Sequence, residues 1–246
     1  MLAIIGGSGL STLAGLQTLR REVVRTPYGE PSCPVTVGRI KDKEIAFLAR
    51  HGHGHTIAPH EINYRANLWA LKAQGVDGII SVAAVGGIPP DQGPGVLVVP
   101  HQIIDYTWGR KHTFFEGEAP VTHVDFTEPY SKVLREQVLA AAARCSERVV
   151  DGGVYAATQG PRLETAAEID RLERDGATLV GMTGMPEAAL ARELGIPYAA
   201  IAVVANHAAG RGDSRLQIDM ATIEAVLRDG MARTARILET LVQASA

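Results

Sequence analysis

The chain has only two cysteines, Cys33 and Cys145, far apart and outside any CxxC spacing. That excludes a disulfide framework and a structural zinc site, and fits the reducing, cytoplasmic compartment. Charge of one sign is equally scarce: 24 Lys and Arg face 27 Asp and Glu, a net charge of −3 with no long run of either sign. Neither nucleic acid nor a membrane surface is an expected partner; a small molecule is. No apolar stretch approaches the length of a membrane span, and Met1 passes straight into LAIIGG without a basic leader or cleavage-site pattern. Neither export nor a membrane anchor is expected. Repeats, low-complexity tracts and linkers are missing too, so the 246 residues are read as one domain, 1–246.

What the chain does have is an alternation of short apolar runs and helical patterns. The runs at 2–5, 45–49, 78–85, 96–100, 153–158, 178–182 and 198–205 end at Gly, Pro or polar clusters and read as buried strands. Helical periodicity occupies 63–74, 130–143, 164–175, 186–194 and 220–243. This order predicts an α/β fold with a mixed, mainly parallel central sheet flanked by helices. Residues 106–130 show neither period, and a connection of that length is usually functional or interfacial.

The strand exits carry the candidate chemistry. GGSGL (6–10) follows the first strand, where glycines let the backbone approach an anion and Ser8 adds a hydroxyl; a plain tight turn explains the glycines equally well. Arg50 and His51 follow the run IAFLA, bringing to the same sheet edge a planar guanidinium suited to two phosphate oxygens at once. The histidines of HGHGH (51–55), with His60 nearby, have a metal-ligand spacing, but HExxH and matching downstream ligands are missing, so no metal is expected. Glu164 in GPRLET (160–165) is read either as a helix-dipole partner or as a ligand at a strand exit. The stretch 179–206, LVGMTGMPEAALARELGIPYAAIAVVAN, ends its strands at Met182-Thr183 and at Asn206, where open parallel sheets bind small ligands. Glu187, near the start of the intervening helix, is read as a dipole partner or as a carboxylate for sugar hydroxyls.

Together with RHGHGHTIAPHEINYRANLWALK (50–72), AAVGGIPPDQGPG (83–95) and TQGPRLETAAE (158–168), these segments resemble the trimeric purine nucleoside phosphorylase and methylthioadenosine phosphorylase family. The resemblance covers essentially the whole chain in the family's order. It implies a phosphorylase/hydrolase-like fold and reversible phosphorolysis, in which the co-substrate inorganic phosphate attacks C1′ of a purine nucleoside without metal or organic cofactor. By motif it puts Ser8, Arg50, His51, Ala83, Ala84 and Thr183 around phosphate and Met182 by the ribose, with Asn206, Arg50 and His51 in catalytic roles. Ala83 stands where relatives often bear a hydroxyl, which leaves backbone N–H donation there.

Glu164 and Asn206 resemble the pair found in 6-oxopurine-specific members; adenine-specific ones carry a small hydroxyl residue and Asp, with a further Asp where this chain has Ala208. The donor count agrees, because hypoxanthine N1–H suits the Glu164 carboxylate and its O6 suits the Asn206 amide, whereas adenine inverts both. Also implied at the substrate are His207 beside Asn206, Leu163 in place of a common aromatic, and Ile218 where a 5′-hydroxyl-binding His is usual. An apolar residue there favours a methylthio group, so the chain resembles phosphorylases of methylthioinosine. His123 in VTHVDF is implied to reach a neighbouring subunit's 5′ pocket in a homotrimer, whose contacts are expected to bury Trp108, Phe114, Phe115 and Phe126. Alternatives are a general inosine/guanosine phosphorylase, a methylthioadenosine phosphorylase, a His-dependent metallohydrolase and a non-catalytic nucleoside binder.

Overall fold

The computed structural model describes residues 1–117 and 120–244. Its elements, in chain order, are β1 (Leu2–Gly6), β2 (Gln17–Glu22), β3 (Val35–Ile40), β4 (Lys43–Ala49), α1 (Tyr64–Ala73), β5 (Gly78–Gly87), β6 (Leu97–Val99), β7 (Gln102–Asp105), α2 (Lys132–Arg144), β8 (Val150–Asp151), β9 (Val154–Ala157), α3 (Ala166–Arg174), β10 (Leu179–Gly181), α4 (Gly184–Glu193), β11 (Tyr198–His207) and α5 (Met220–Ala244). Every apolar run and helical pattern of the sequence is there, with no end displaced by more than two residues. Four strands had no such signal. β2, QTLRRE, is exposed along its whole length, β3 continues it as a hairpin partner, and β7 and β8 are short. A polar edge strand buries too little to need an apolar run.

The strands form one mixed sheet in the order β2-β3-β4-β1-β5-β10-β9-β7, with β11, β6 and β8 branching from β5. Parallel pairing joins β4, β1, β5 and β11, and also β10, β9 and β7; antiparallel pairing is confined to the β2-β3-β4 meander, β5 with β10 and β6 with β11. The centre is buried on both faces, Ile4, Ile5, Ile79, Ile80, Ile201 and Val203 being fully inaccessible. Helices α1 and α4 pack on each other, while α2 and α5 pack together and against β11. The apolar runs are continuous rather than alternating because both faces are covered.

The branch at β5 makes the site. β1 pairs with Gly78–Ser81 and then leaves; β10 joins the same edge only at Gly86 and Gly87. Between them residues 82–85, including Ala83 and Ala84, have no strand partner on that edge. A divergence of strands of this kind opens a crevice at their carboxyl ends.

The described part of residues 106–130 contains neither helix nor strand. One expectation for it is corrected: Phe114 is buried within its own chain, edge-on to Tyr28 at 5.0 Å between ring centroids. Phe115 and Phe126 are half-buried, and Trp108 alone of the four stays 72% exposed. Among the described residues no helix is long and apolar enough to cross a membrane.

Candidate active site

The exits of β1, β4 and β5 meet at Arg50. Its backbone N–H donates to the Gly6 carbonyl at 2.9 Å, tying two strand ends together. The following Gly7 lies so close that a Cβ would stand 2.5 Å from the Val82 carbonyl oxygen and 2.8 Å from Arg50 Nη1, which requires glycine. The Arg50 side chain is fully buried. Nε and Nη2 donate to the two oxygens of Glu187 (2.7 and 2.9 Å), Nη2 also to Ser81 Oγ (2.5 Å), and Nη1 to the Val82 carbonyl (3.2 Å). Of five guanidinium hydrogens only one, on Nη1, is uncommitted. A two-oxygen grip on phosphate, expected from the sequence, is therefore replaced by a single donor beside a neutralised charge.

Glu187 is likewise fully buried, and its Oε1 accepts a further bond from the Tyr198 hydroxyl at 2.8 Å. Of the two readings of Glu187 from the sequence, its place in the first turn of α4 stands, and the contact with a sugar is corrected: the carboxylate is taken up by Arg50 and Tyr198. Burial works against the charge of Arg50, but the Glu187 carboxylate outweighs it and holds the guanidinium above its ordinary range. Burial, with Glu187 beside it, pushes the Tyr198 phenol well up, so it stays a donor.

His51 is buried, and its Nδ1–H donates to the Ile57 carbonyl at 2.8 Å, which directs Nε2 as an acceptor. Burial and then the Arg50 charge push its pKa down to about 4. His55 lies ring to ring with His51 at 4.3 Å and reaches Ser8 Oγ at 3.5 Å, while His53 lines a separate small hollow. Among the described residues no group of His, Cys, Asp or Glu is gathered to hold a metal ion. Thr183 occupies the N-cap position of α4 yet makes no capping bond with its side chain; its backbone N–H donates to the Tyr155 hydroxyl. Met185 is extended, so regular helix starts at Pro186.

On the opposite wall, α3 begins after Glu164. Thr165 is its N-cap and Glu168 closes a capping box, so the bland role open to Glu164 is filled by Glu168. A hydrogen bond from Arg162 and the Thr165 N–H hold the Glu168 carboxyl down at about 2. Glu164 instead accepts a bond from Thr158 Oγ1 at 2.6 Å. Facing it is Asn206. Along β11, Val204 pairs with Val85 and Asn206 with Gly86, so Ala205 is an extra residue and Asn206 points to the opposite face from Val204. Asn206 Nδ2 spends one hydrogen on the His207 carbonyl at 2.6 Å, leaving the other and Oδ1 for a ligand.

These groups share one cavity of about 770 Å³, inside the range of small-molecule sites. Ser8, Arg50, His51, Ala83, Ala84, Leu163, Glu164, Met182, Thr183, Asn206, Ala208 and Ile218 all line it. His207 does not: its ring lies by Gly93 and Gly212, 3.8 Å from the Asp213 carboxylate, because the side chain after Asn206 faces away. His123 is exposed and outside the cavity of its own chain. Lining residues that the sequence did not single out are Ile57, Ala58 and Pro59 on one side and Met220, Ile223, Glu224 and Leu227 of α5 on another. The amphipathic period of α5 marked a buried face without saying that its first turns would roof a site.

The model of the phosphorylase superfamily matches residues 1–243. A probable S-methyl-5′-thioinosine phosphorylase of Pseudomonas syringae pv. tomato is 54% identical over 99% of this chain and 98% of its own length. The 6-oxopurine nucleoside phosphorylase of Pyrococcus furiosus is 48% identical over 87% of this chain and 82% of its own. Among solved structures, the methylthioadenosine phosphorylase of Schistosoma mansoni in complex with adenine superposes with a TM-score of 0.92 at 33% identity, covering 98% of this chain and 90% of that one. Identity at this level over nearly the whole length goes with shared architecture; the chain belongs to the phosphorylase superfamily.

Proposed function

We propose that this enzyme cleaves S-methyl-5′-thioinosine with inorganic phosphate, giving hypoxanthine and 5-methylthioribose 1-phosphate, a pentosyl transfer in purine salvage. The observation that carries the reading is the pairing of Glu164 and Asn206 across one cavity. A carboxylate accepts the N1–H of a 6-oxopurine, and the free amide hydrogen of Asn206 donates to its O6. Adenine would set lone pair against lone pair at one and N–H₂ against N–H₂ at the other, each mismatch costing about 1–3 kcal/mol. The relatives named for S-methyl-5′-thioinosine and 6-oxopurine nucleosides support the same base. At the sugar end, Ile218 with Met220, Ile223 and Leu227 favours methylthio over hydroxyl.

In this reading phosphate lies among Ser8, the Ala83-Ala84 edge, Thr183, His51 Nε2 and the one uncommitted hydrogen of Arg50. As the C1′–N9 bond lengthens, the sugar becomes oxocarbenium-like; the phosphate stabilises it and then forms the new C1′–O bond. The departing purine takes its charge into O6 and N7, within reach of Asn206. The chemistry is proposed to need no metal or organic cofactor, since the nucleophile is already an anion and the charge that develops on the departing purine is received by Asn206. We infer a cytoplasmic homotrimer in which His123 serves a neighbour's cavity; the exposure of His123, Trp108, Val121 and Val124 supports it.

A second reading, a general inosine/guanosine phosphorylase, is favoured by Glu224, a carboxylate able to accept from a 5′-hydroxyl. Steady-state rates with methylthioinosine, inosine and methylthioadenosine, each with and without phosphate, decide between them. Methylthioinosine is expected to have the highest kcat/KM, and only with phosphate. Equal or better use of inosine selects the second reading, and preference for methylthioadenosine overturns the assignment of the base.

A further inference from the structure

We propose that Arg110, in the irregular segment after β7, is the positioning residue that fixes the base-recognition segment against the segment holding ribose and phosphate. Its residue is 8% exposed and takes no part in lining the substrate cavity. Its guanidinium is surrounded by oxygens from three site-forming segments. Nη1 donates to the carbonyls of Met182 (2.8 Å) and Met185 (2.6 Å), Nη2 to those of Gln159 (2.8 Å) and Thr158 (3.2 Å), and Nε to Gln159 Oε1 (3.2 Å). The third segment is reached through Tyr64, whose hydroxyl accepts from Nη1 at 3.2 Å and donates to the carbonyl of Pro59, on the cavity wall, at 2.9 Å.

The Thr158 and Met182 contacts lead directly to the cavity. Thr158 carries the hydroxyl that holds Glu164, and Met182 and Thr183 themselves line the cavity. The two segments touch: a Cβ on Gly160 would stand 2.4 Å from Met182 Sδ. Converging carbonyls repel one another and are costly when buried unpaired, so this cluster requires a planar multiple donor at its centre. A guanidinium offers five fixed N–H groups; an ammonium offers three and no fork. Arg110 thereby sets the distance between Glu164 and Met182-Thr183, which is the spacing of base to sugar.

This inference rests on the nucleoside-cleaving reading, and its test separates the two. Wild type, Arg110→Met, Arg110→Lys and Tyr64→Phe are compared for melting temperature, kcat, both KM values and the ratio of 6-oxopurine to 6-aminopurine kcat/KM. Arg110→Met is expected to lose about 100-fold in nucleoside kcat/KM, the scale of a misplaced reacting group, with Arg110→Lys recovering part of it. The base preference is expected to fall about tenfold in Arg110→Met as Glu164 loses its place, while the KM for phosphate stays within about threefold. Folded Arg110 variants with a lower melting temperature but unchanged nucleoside KM and base preference would mean a purely structural role and overturn the inference. Should neither Arg110 variant fold, Tyr64→Phe decides: a nucleoside KM raised about threefold supports the inference, and an unchanged one overturns it. A wild type inactive on every nucleoside overturns the functional reading and this inference with it; an active wild type with unaffected variants overturns the inference alone.

Discussion

The two ends of the cavity are built from different material. At the end proposed for phosphate, Arg50 and Glu187 are fully buried and stand where β1, β4 and β5 meet, each held by several bonds. At the end proposed for the sugar, the wall comes from the start of α5, where Met220 is 61% exposed, and from the opposite rim, where Leu163 is 43% exposed. The first end is preorganised, so its donors need no rearrangement when an anion arrives. The second is partly open to solvent, so its residues cost the fold little to change.

The largest test of that contrast is Glu187→Ala. It leaves Arg50 charged and buried without its partner, and is expected to cost about 3–5 kcal/mol in a urea titration while also raising the KM for phosphate. A loss below about 1 kcal/mol would place the pair among weakly coupled surface charges. Next comes Asn206→Asp, between the two ends. One mispaired group of about 1–3 kcal/mol is expected to move the preference from 6-oxopurine toward 6-aminopurine substrates by tenfold or more. Unchanged preference would remove Asn206 from the base.

Ile218→Ser probes the exposed end. A change of one methyl-sized contact is expected to lower the preference for methylthioinosine over inosine by roughly fivefold, about 1 kcal/mol. Its urea midpoint is expected to stay close to wild type, in contrast to Glu187→Ala. A last test concerns pH. His51 has its folded pKa lowered, so the neutral form is favoured in the fold and the unfolded chain binds the extra proton. Stability from this group is complete above its unfolded pKa of about 6.5 and is lost as pH falls toward about 4. Melting curves at pH 7.5 and 4.5 should show a narrower gap for His51→Asn than for wild type; an equal gap would assign the acid sensitivity elsewhere.

Legibility in the sequence divides along the same line. The strand exits named their own residues, because Arg50, Thr183 and Asn206 each follow an apolar run directly, Met182 ends one, and Ser8 lies in the glycine turn after another. Glu164 was recognisable only as one of two possibilities, and the capping box at Thr165 and Glu168 separates them. His207 shows the limit of adjacency: it follows Asn206 but turns its ring away from the cavity. Phe114 looked like an interface residue because its segment has no period, yet it packs against Tyr28 from a distant loop.

By itself the sequence determined the helices and the buried strands, though not β2, β3, β7 and β8, since helix and strand periods are local properties of a few neighbouring side chains. It also determined which residues end the strands and, through their donors and acceptors, the class of base proposed for the site. Only the tertiary structure decided the partners. Arg50 and Glu187 are 137 residues apart, and nothing local to either indicates that one fills the coordination of the other. The same holds for Arg110, whose acceptors are carbonyls, present at every residue and therefore silent in sequence. Their convergence depends on how β5 divides its edge between β1 and β10, a property of strand pairing and not of any single segment.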